Sequence, residues 1–373
     1  MKKTKDANKK AKKTARKAKG TKLTALGLFS GGLDSIVSAK MMKEMGFDVR
    51  LLCFTSPFSN RQKELSNSQL KELAGQKGLG LDLEFMPKEL DFLDILRHAK
   101  HGYGAGMNPC VDCRVYTFKK AKDYAKRIGA AFIFTGEVLG ERPLSQTGQA
   151  LEIIERESGL QGKIVRPLSG KILPSTEAEE KGWLKRNQLF GVSGRGRQTQ
   201  MQLAQKWHLR YPSPAGGCML AENHYGLRLK DLFDHKRVAG VSWEDIAPLA
   251  VGRHFRKYDI KMVVGRRETE NEQLKKLKGK DDIILECEEG IMGPVTLLQY
   301  SGGSAKAIDL AARLTAYFSD ARKEGLRKVR VNYWKEGDKG KVKKSRPSGQ
   351  MIVPAGINMK NEMKKGLVWI GQN

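Results

Sequence analysis

The chain has 373 residues, 39% of them hydrophobic and 7% aromatic, a length that suggests two domains and a composition that supports a real core. Sixty-nine Lys and Arg stand against forty-one Asp and Glu, a net charge of +28 that draws polyanions, of which nucleic acid is the usual cytoplasmic one. No apolar run approaches the ~18–20 residues of a membrane span, no apolar segment follows the first lysines as in a secretory leader, and five cysteines are too few for a disulfide scaffold, so the expected setting is a reducing cytoplasm.

Residues 1–22 read as a disordered basic arm with eleven Lys and Arg and one Asp. From Leu23 the composition changes. Leu23–Phe29 is an apolar run of strand length, Ser30-Gly31-Gly32-Leu33-Asp34-Ser35 is a glycine turn, Ile36–Met45 has helical spacing closed by Gly46, and Val49–Thr55 is a second buried strand. Strand, turn, helix and strand make a βαβ unit, hence an α/β domain with a parallel sheet. The alternation continues with a helix at 67–77, a strand at 81–86, a helical stretch at 90–99, a helix at 114–129 and a strand at 130–135 that ends at Gly136-Glu137. Residues 139–220 read as loop-rich and basic, with helices near 176–187 and 198–207. Beyond about residue 221 short strands are expected at 260–264, 283–286, 295–299, 328–333 and 351–353, with a helix at 304–323. The expected division is a basic arm (1–22), an α/β domain (23–220) and a smaller, basic α+β region (221–373) suited to RNA.

The turn at 30–35 carries the strongest chemistry. Two adjacent glycines between a buried strand and a helix bring successive N–H groups onto an anion, and the helix adds its positive end. Ser30 and Ser35 supply hydroxyl donors. Asp34 repels phosphate and makes sense as a ligand of Mg²⁺ that offsets pyrophosphate charge. A Walker loop would need a lysine after the glycines and a dinucleotide fingerprint a third glycine, and both are missing.

With that turn the chain resembles the PP-loop ATP pyrophosphatases, whose hallmark is Ser-Gly-Gly-x-Asp-Ser after the first strand of a Rossmann-like fold of the adenine nucleotide alpha hydrolase type. The resemblance implies ATP cleaved between its α and β phosphates, AMP transferred to a substrate oxygen and pyrophosphate released. It also implies that Ser30, Gly31, Gly32, Asp34 and Ser35 hold ATP with Mg²⁺, that Phe54 touches adenine, and that Gly136 lies beside the α-phosphate.

Cys110-x-x-Cys113 opens a helix near Arg114, Lys119 and Lys120, a setting that favours thiolate. Cys218, in Ala215-Gly216-Gly217-Cys218, is the third candidate, whereas Cys53 and Cys287 read as packed thiols. Two schemes stay open: Cys110, Cys113 and Cys218 hold a metal, as three ligands of a [4Fe–4S] cluster with one open corner, or Cys218 carries a persulfide that a CxxC cysteine resolves. The segment Asn108-Pro109-Cys110-Val111-Asp112-Cys113 is similar to one in tRNA-specific 2-thiouridylases, with Cys113 at the family cysteine and Cys110 in place of its aspartate. That replacement turns the resemblance toward iron–sulfur-dependent tRNA thiolation. The function implied is an ATP-dependent tRNA sulfurtransferase with Asp34, Cys110, Cys113 and Cys218 as its catalytic residues, and with tRNA and a sulfur donor (sulfide or a persulfide carrier protein) as partners. RNA docking is expected from the arm, from Lys185, Arg186, Arg195, Arg197 and Arg210, and from the C-terminal region, where Arg327, Lys328, Arg330 and 341–344 read either as an RNA surface or as a solvated face. Glu137 and Arg142 read either as pocket residues or as solvated loop charges. The competing readings are a small-molecule ligase or amidase of the same superfamily with zinc-binding cysteines, and a non-catalytic RNA-binding protein.

Overall fold

The computed structural model describes residues 22–60, 64–214, 217–237, 240–300, 304–335 and 347–371. Of the basic arm only Lys22 falls within them, and 341–344 lie outside. The chain divides into two bodies, one formed by residues up to Phe92 together with Pro109–Gly217, the other by Leu93–Asn108 together with Cys218 onward.

In the first body β1 (Thr24–Leu28), β2 (Asp48–Thr55), β3 (Leu83–Pro87), β4 (Phe132–Thr135) and β5 (Ile164–Val165) form a wholly parallel sheet of order β3-β2-β1-β4-β5. Neighbouring residues of β1 point to opposite faces, and both faces are apolar because both are covered. Ala25 joins Phe134 and Leu51 in one core with Ile36 and Val37 of helix α1 (Leu33–Glu44), while Leu26 joins Leu52 and Ile133 in another. Between them Gly27 leaves room for the Phe134 ring, whose Cζ would lie 2.4 Å from an added Cβ. Helix α2 (Asn67–Gly75) supplies Leu70 and Ala74 to the first core, with its N-terminus held by a Ser66–Gln69 capping box. After the short α3 (Phe92–Arg97), helix α4 (Cys110–Arg127) lays Val115, Phe118 and Ala121 on the second core.

Three expectations about this body change. Helix α4 begins at Cys110 rather than Arg114, directly after Pro109, so both cysteines sit inside its first turn. The stretch 139–220 is more ordered than its composition suggests: it holds α5 (Gly148–Ser158), whose Ala150, Leu151 and Ile154 are buried between a Thr147 cap and left-handed Gly159, and then β5. The helix expected over 176–187 reduces to Glu177–Glu180, because Gly182 takes φ +67° just beyond it. Helix α6 (Gln198–Lys206) forms where expected.

The second body contains an antiparallel sheet of order β11-β10-β8-β9-β7-β6-β12, from β6 (Arg253–Lys257), β7 (Ile260–Val264), β8 (Ile283–Cys287), β9 (Thr296–Gln299), β10 (Lys328–Trp334), β11 (Gly349–Pro354) and β12 (Val368–Ile370). Alternation sorts its residues: Met262, Val264, Ile283 and Leu285 pack with Ile308, Ala311 and Leu314 of a helix at Ala305–Tyr317, whereas Val263, Ile284 and Leu297 pack with Leu274 of a helix at Glu268–Leu277. The former helix was expected to run to residue 323. It stops at Tyr317, and Ser319 starts a separate 3₁₀ turn over Asp320–Arg322. β6 escapes a sequence reading because Arg-His-Phe-Arg-Lys has no apolar alternation, yet pairing with β7 and β12 buries His254 and Phe255 completely.

Candidate nucleotide and thiol site

The chain runs from β1 outward through β2 and β3, then returns to the other side of β1 as β4. Ligands of open α/β sheets bind at such a reversal, beyond the carboxyl ends of the strands. The glycine turn stands there. Gly31 takes φ +73°, and an added Cβ would lie 2.4 Å from Leu70 Cδ2, so both backbone and packing call for glycine. Gly32 is the N-cap of α1 and offers no side-chain cap, which leaves first-turn N–H groups directed at the crevice. Ser35 Oγ donates to the Gly32 carbonyl at 2.8 Å and draws in the Ser30 backbone N–H and hydroxyl at 3.4 Å, closing the turn. From β4, Gly136 presses on the same loop: an added Cβ would lie 2.5 Å from Asp34 C and 2.6 Å from Ser35 N. Phe54 sits at the carboxyl end of β2, paired with Met86 and half-buried.

Asp34 meets residues that no motif announced. Its Oδ1 accepts from Gln200 Nε2 at 3.1 Å, and its Oδ2 lies 3.8 Å from Arg197 Nη2, which also bonds Glu141 Oε1 at 3.1 Å. Burial and the neighbouring Glu141 raise the Asp34 carboxyl above the usual range, against the opposing pull of Arg197. The only sequence signal for Arg197 and Gln200 is the Gly194-Arg195-Gly196-Arg197 run ahead of α6. Carboxylate and carboxamide oxygens are the donors Mg²⁺ takes, so this corner suits that ion.

The thiols share the edge. Because α4 runs antiparallel to the strands it connects, its first turn, with Cys110 and Cys113, lies at their carboxyl ends. Lys88, just past β3, donates to Cys113 Sγ at 2.8 Å and stands 4.1 Å from the centroid of the Phe92 ring. The next residue, Arg114, donates from Nε to Glu137 Oε1 at 2.8 Å. Glu137 is thus no solvated loop charge. It is 2% exposed and also accepts from Arg166 Nε at 3.1 Å, while Arg166 pairs in turn with Glu155. Burial pushes the Glu137 carboxyl up, but Arg114 and Arg166 outweigh it and hold it below the usual range. Gly136 touching Asp34, Glu137 beside it and Arg114 beyond form one connected path from the glycine turn to the cysteines. Arg142, by contrast, is exposed.

Cys218 belongs to the other body, half-buried ahead of a 3₁₀ turn at Met219–Ala221, where burial and then Cys218 raise the Tyr225 phenol. Cys218 thus falls in a different body from Cys110 and Cys113. Among the described residues no group of three or more His, Cys, Asp or Glu could hold a metal ion. Cys53 is buried inside β2, and burial pushes the Cys287 thiol up to about 11. Three arginines expected to dock RNA are engaged within the protein: Arg186 with Glu179, Arg197 as described, and Arg210 with Glu72. Lys328 and Arg330 are exposed on β10. Among the described residues no helix is long and apolar enough to cross a membrane.

Residues 20–172 match the family described as thiamine biosynthesis protein (ThiI), and residues 252–349 match the NFACT protein RNA binding domain. A tRNA-specific 2-thiouridylase of Clostridium botulinum (strain Okra) is 34% identical over 125 residues, 32% of this chain and 34% of that protein. A probable tRNA sulfurtransferase of Caldanaerobacter subterraneus subsp. tengcongensis is 33% identical over 153 residues, 40% of this chain and 38% of that protein. The chain thus spans little more than a third of the length of either relative. A crystal structure of a 4-thiouridine synthetase–RNA complex with bound ATP aligns at 20% identity and TM-score 0.31, covering 50% of this chain and 51% of that one.

Proposed function

We propose that this protein is an ATP-dependent tRNA sulfurtransferase whose residues 20–172, which match the ThiI family, form its PP-loop domain. The observation that carries the reading is that the glycine turn and a lysine-paired cysteine occupy the same sheet edge of one body, joined by Gly136, Glu137 and Arg114.

The carbonyl oxygen of a uracil is a poor leaving group. Attack of that oxygen on the α-phosphorus of ATP forms the adenylate and expels pyrophosphate, whose charge the N–H groups of α1 and the hydroxyls of Ser30 and Ser35 receive. Mg²⁺, when bound, would neutralise part of that charge, and Asp34 would hold it. A sulfur nucleophile then adds to the activated carbon, and AMP leaves with the oxygen. Cys113, whose sulfur accepts from Lys88, takes the outer sulfur of a carrier protein's persulfide by exchange and releases the carrier's thiol. That persulfide is the sulfur nucleophile. Cys110 then attacks the disulfide joining Cys113 to the base, freeing the thiolated base and leaving a Cys110–Cys113 disulfide for an external dithiol to reduce. The target base leaves its stack to reach this edge. The second body, with its RNA-binding domain, holds the RNA backbone through a salt-sensitive contact to which Lys328 and Arg330 contribute.

The test is anaerobic incubation of the full chain with ATP, Mg²⁺, a persulfide-loaded carrier protein, a dithiol and unmodified tRNA, followed by nucleoside digestion and mass spectrometry. A thiolated uridine is expected, with loss of product in Cys113→Ser and in Asp34→Asn. Pyrophosphate release without a thiolated nucleoside on any tRNA would refute sulfur transfer while leaving adenylation standing.

A further inference from the structure

One nitrogen of Arg197 lies between two carboxylates from different elements, 3.1 Å from Glu141 Oε1 and 3.8 Å from Asp34 Oδ2. Those oxygens are therefore within about 7 Å of each other, with a positive charge between them. Gln200 closes a third side. It is 1% exposed and turns its Nε2 to Asp34 Oδ1, yet its Oε1 has no hydrogen-bond partner. A buried amide oxygen left without a donor costs about 1–3 kcal/mol, and a cation that reached it beside Asp34 would remove that cost. Three oxygens of carboxylate and carboxamide type are a donor set for a hard divalent cation.

Arg197 is well suited to leave. It is the N-cap residue of α6, its backbone set by the helix, and its side chain is 32% exposed. A guanidinium released from two carboxylates has a fork that matches phosphate oxygens.

We propose that Asp34, Glu141 and Gln200 form the divalent-cation site that serves the nucleotide, and that Arg197 fills this site until nucleotide and metal arrive, then turns to the phosphates. The inference rests on the nucleotide reading of the loop and adds two metal ligands and an exchangeable counter-ion to it.

The experiment uses full-length protein, Mn²⁺ as the probe, and electron paramagnetic resonance of free Mn²⁺, with and without the non-cleavable analogue α,β-methylene-ATP. Wild type should bind Mn²⁺ at least tenfold more tightly with the analogue than without it. Glu141→Gln should lose at least tenfold in Mn²⁺ affinity with the analogue present, at an unchanged or raised melting temperature. Arg197→Met should bind Mn²⁺ alone at least fivefold more tightly than wild type, because a competing cation is gone, and should bind the analogue more weakly. A structural role for Arg197 would not tighten metal binding. Wild-type Mn²⁺ affinity in Glu141→Gln, or no gain in Arg197→Met, overturns the site. If the wild type binds no analogue even with Mn²⁺, the nucleotide reading itself fails. Analogue binding with a Mn²⁺ affinity indifferent to Glu141 sinks only the proposed ligands.

Discussion

Gly136→Ala isolates what the strand end after β4 contributes to the site. Gly136 is outside the left-handed region, so alanine can adopt its backbone and the effect is purely steric. The new methyl would lie 2.5 Å from Asp34 C, 2.6 Å from Ser35 N and 2.7 Å from Asp34 O, where ordinary contact begins at 3.4 Å. All three atoms are backbone in the first turn of α1, so none can rotate aside, and relief requires the loop to move by about 1 Å. Overpacking of this kind costs about 1–3 kcal/mol, which for a body of this size lowers Tm by about 2–4 °C per kcal/mol. The larger loss is functional, because a displacement of ~1 Å at a positioning loop costs about a hundredfold in rate. Thermal melts combined with ATP-dependent pyrophosphate release measure both. Gly148→Ala is the control, since an added Cβ there meets nothing within 4 Å. Unaltered Tm and unaltered pyrophosphate release in Gly136→Ala would refute the claim that this glycine sets the loop's position.

Asp34→Asn should stabilise the ligand-free protein while weakening nucleotide binding at least tenfold. The folded-state value of Asp34 is raised, so its charge costs stability above the unfolded pKa, and the amide removes that cost. Melts at pH 7 with and without α,β-methylene-ATP check it, and a lower Tm without ligand would contradict it. Glu137→Gln should destabilise the first body by about 3 kcal/mol at neutral pH, because buried Arg166 and half-buried Arg114 lose their shared partner. Glu137 has a depressed folded-state value, so its contribution is present above the unfolded value near ~4.3 and is lost as pH falls through the folded one. Denaturation of wild type and variant should therefore converge only as pH falls through that depressed folded-state value, and a gap that does not narrow as pH is lowered would count against the ion network as its source. Lys88→Met should change the rate of iodoacetamide labelling of Cys113 several-fold while sparing Cys110, as read by peptide mass spectrometry, because it removes the ammonium that donates to the Cys113 sulfur at 2.8 Å. Equal rates would remove Lys88 from the site.

Local spacing suffices for the parts of this protein that local physics decides. A buried run, two glycines and an amphipathic helix in succession specify a parallel βαβ unit and an anion-directed turn, because strand period, the φ of Gly31 and an uncapped helix N-terminus are short-range properties. The position of Cys110 and Cys113 at a helix start is equally local, being set by Pro109. What the sequence could not display are contacts between segments far apart in the chain. Glu137 is a charge after a strand until the fold buries it between Arg114 and Arg166. Arg197 and Gln200 are residues of a basic, loop-rich stretch until α6 brings them to Asp34, 166 positions from Gln200 along the chain. Lys88 finds Cys113 because β3 and α4 end at the same edge. β6 carries no apolar alternation, and only flanking by β7 and β12 makes it a strand. That Cys218 falls in a different body from the CxxC pair is likewise a property of how the chain divides. Residue identity determined which chemistry each segment can perform. Tertiary structure alone decided which charges are paired, which amide is left without a partner, and which thiols share a body, because desolvation and ion pairing act through space rather than along the chain.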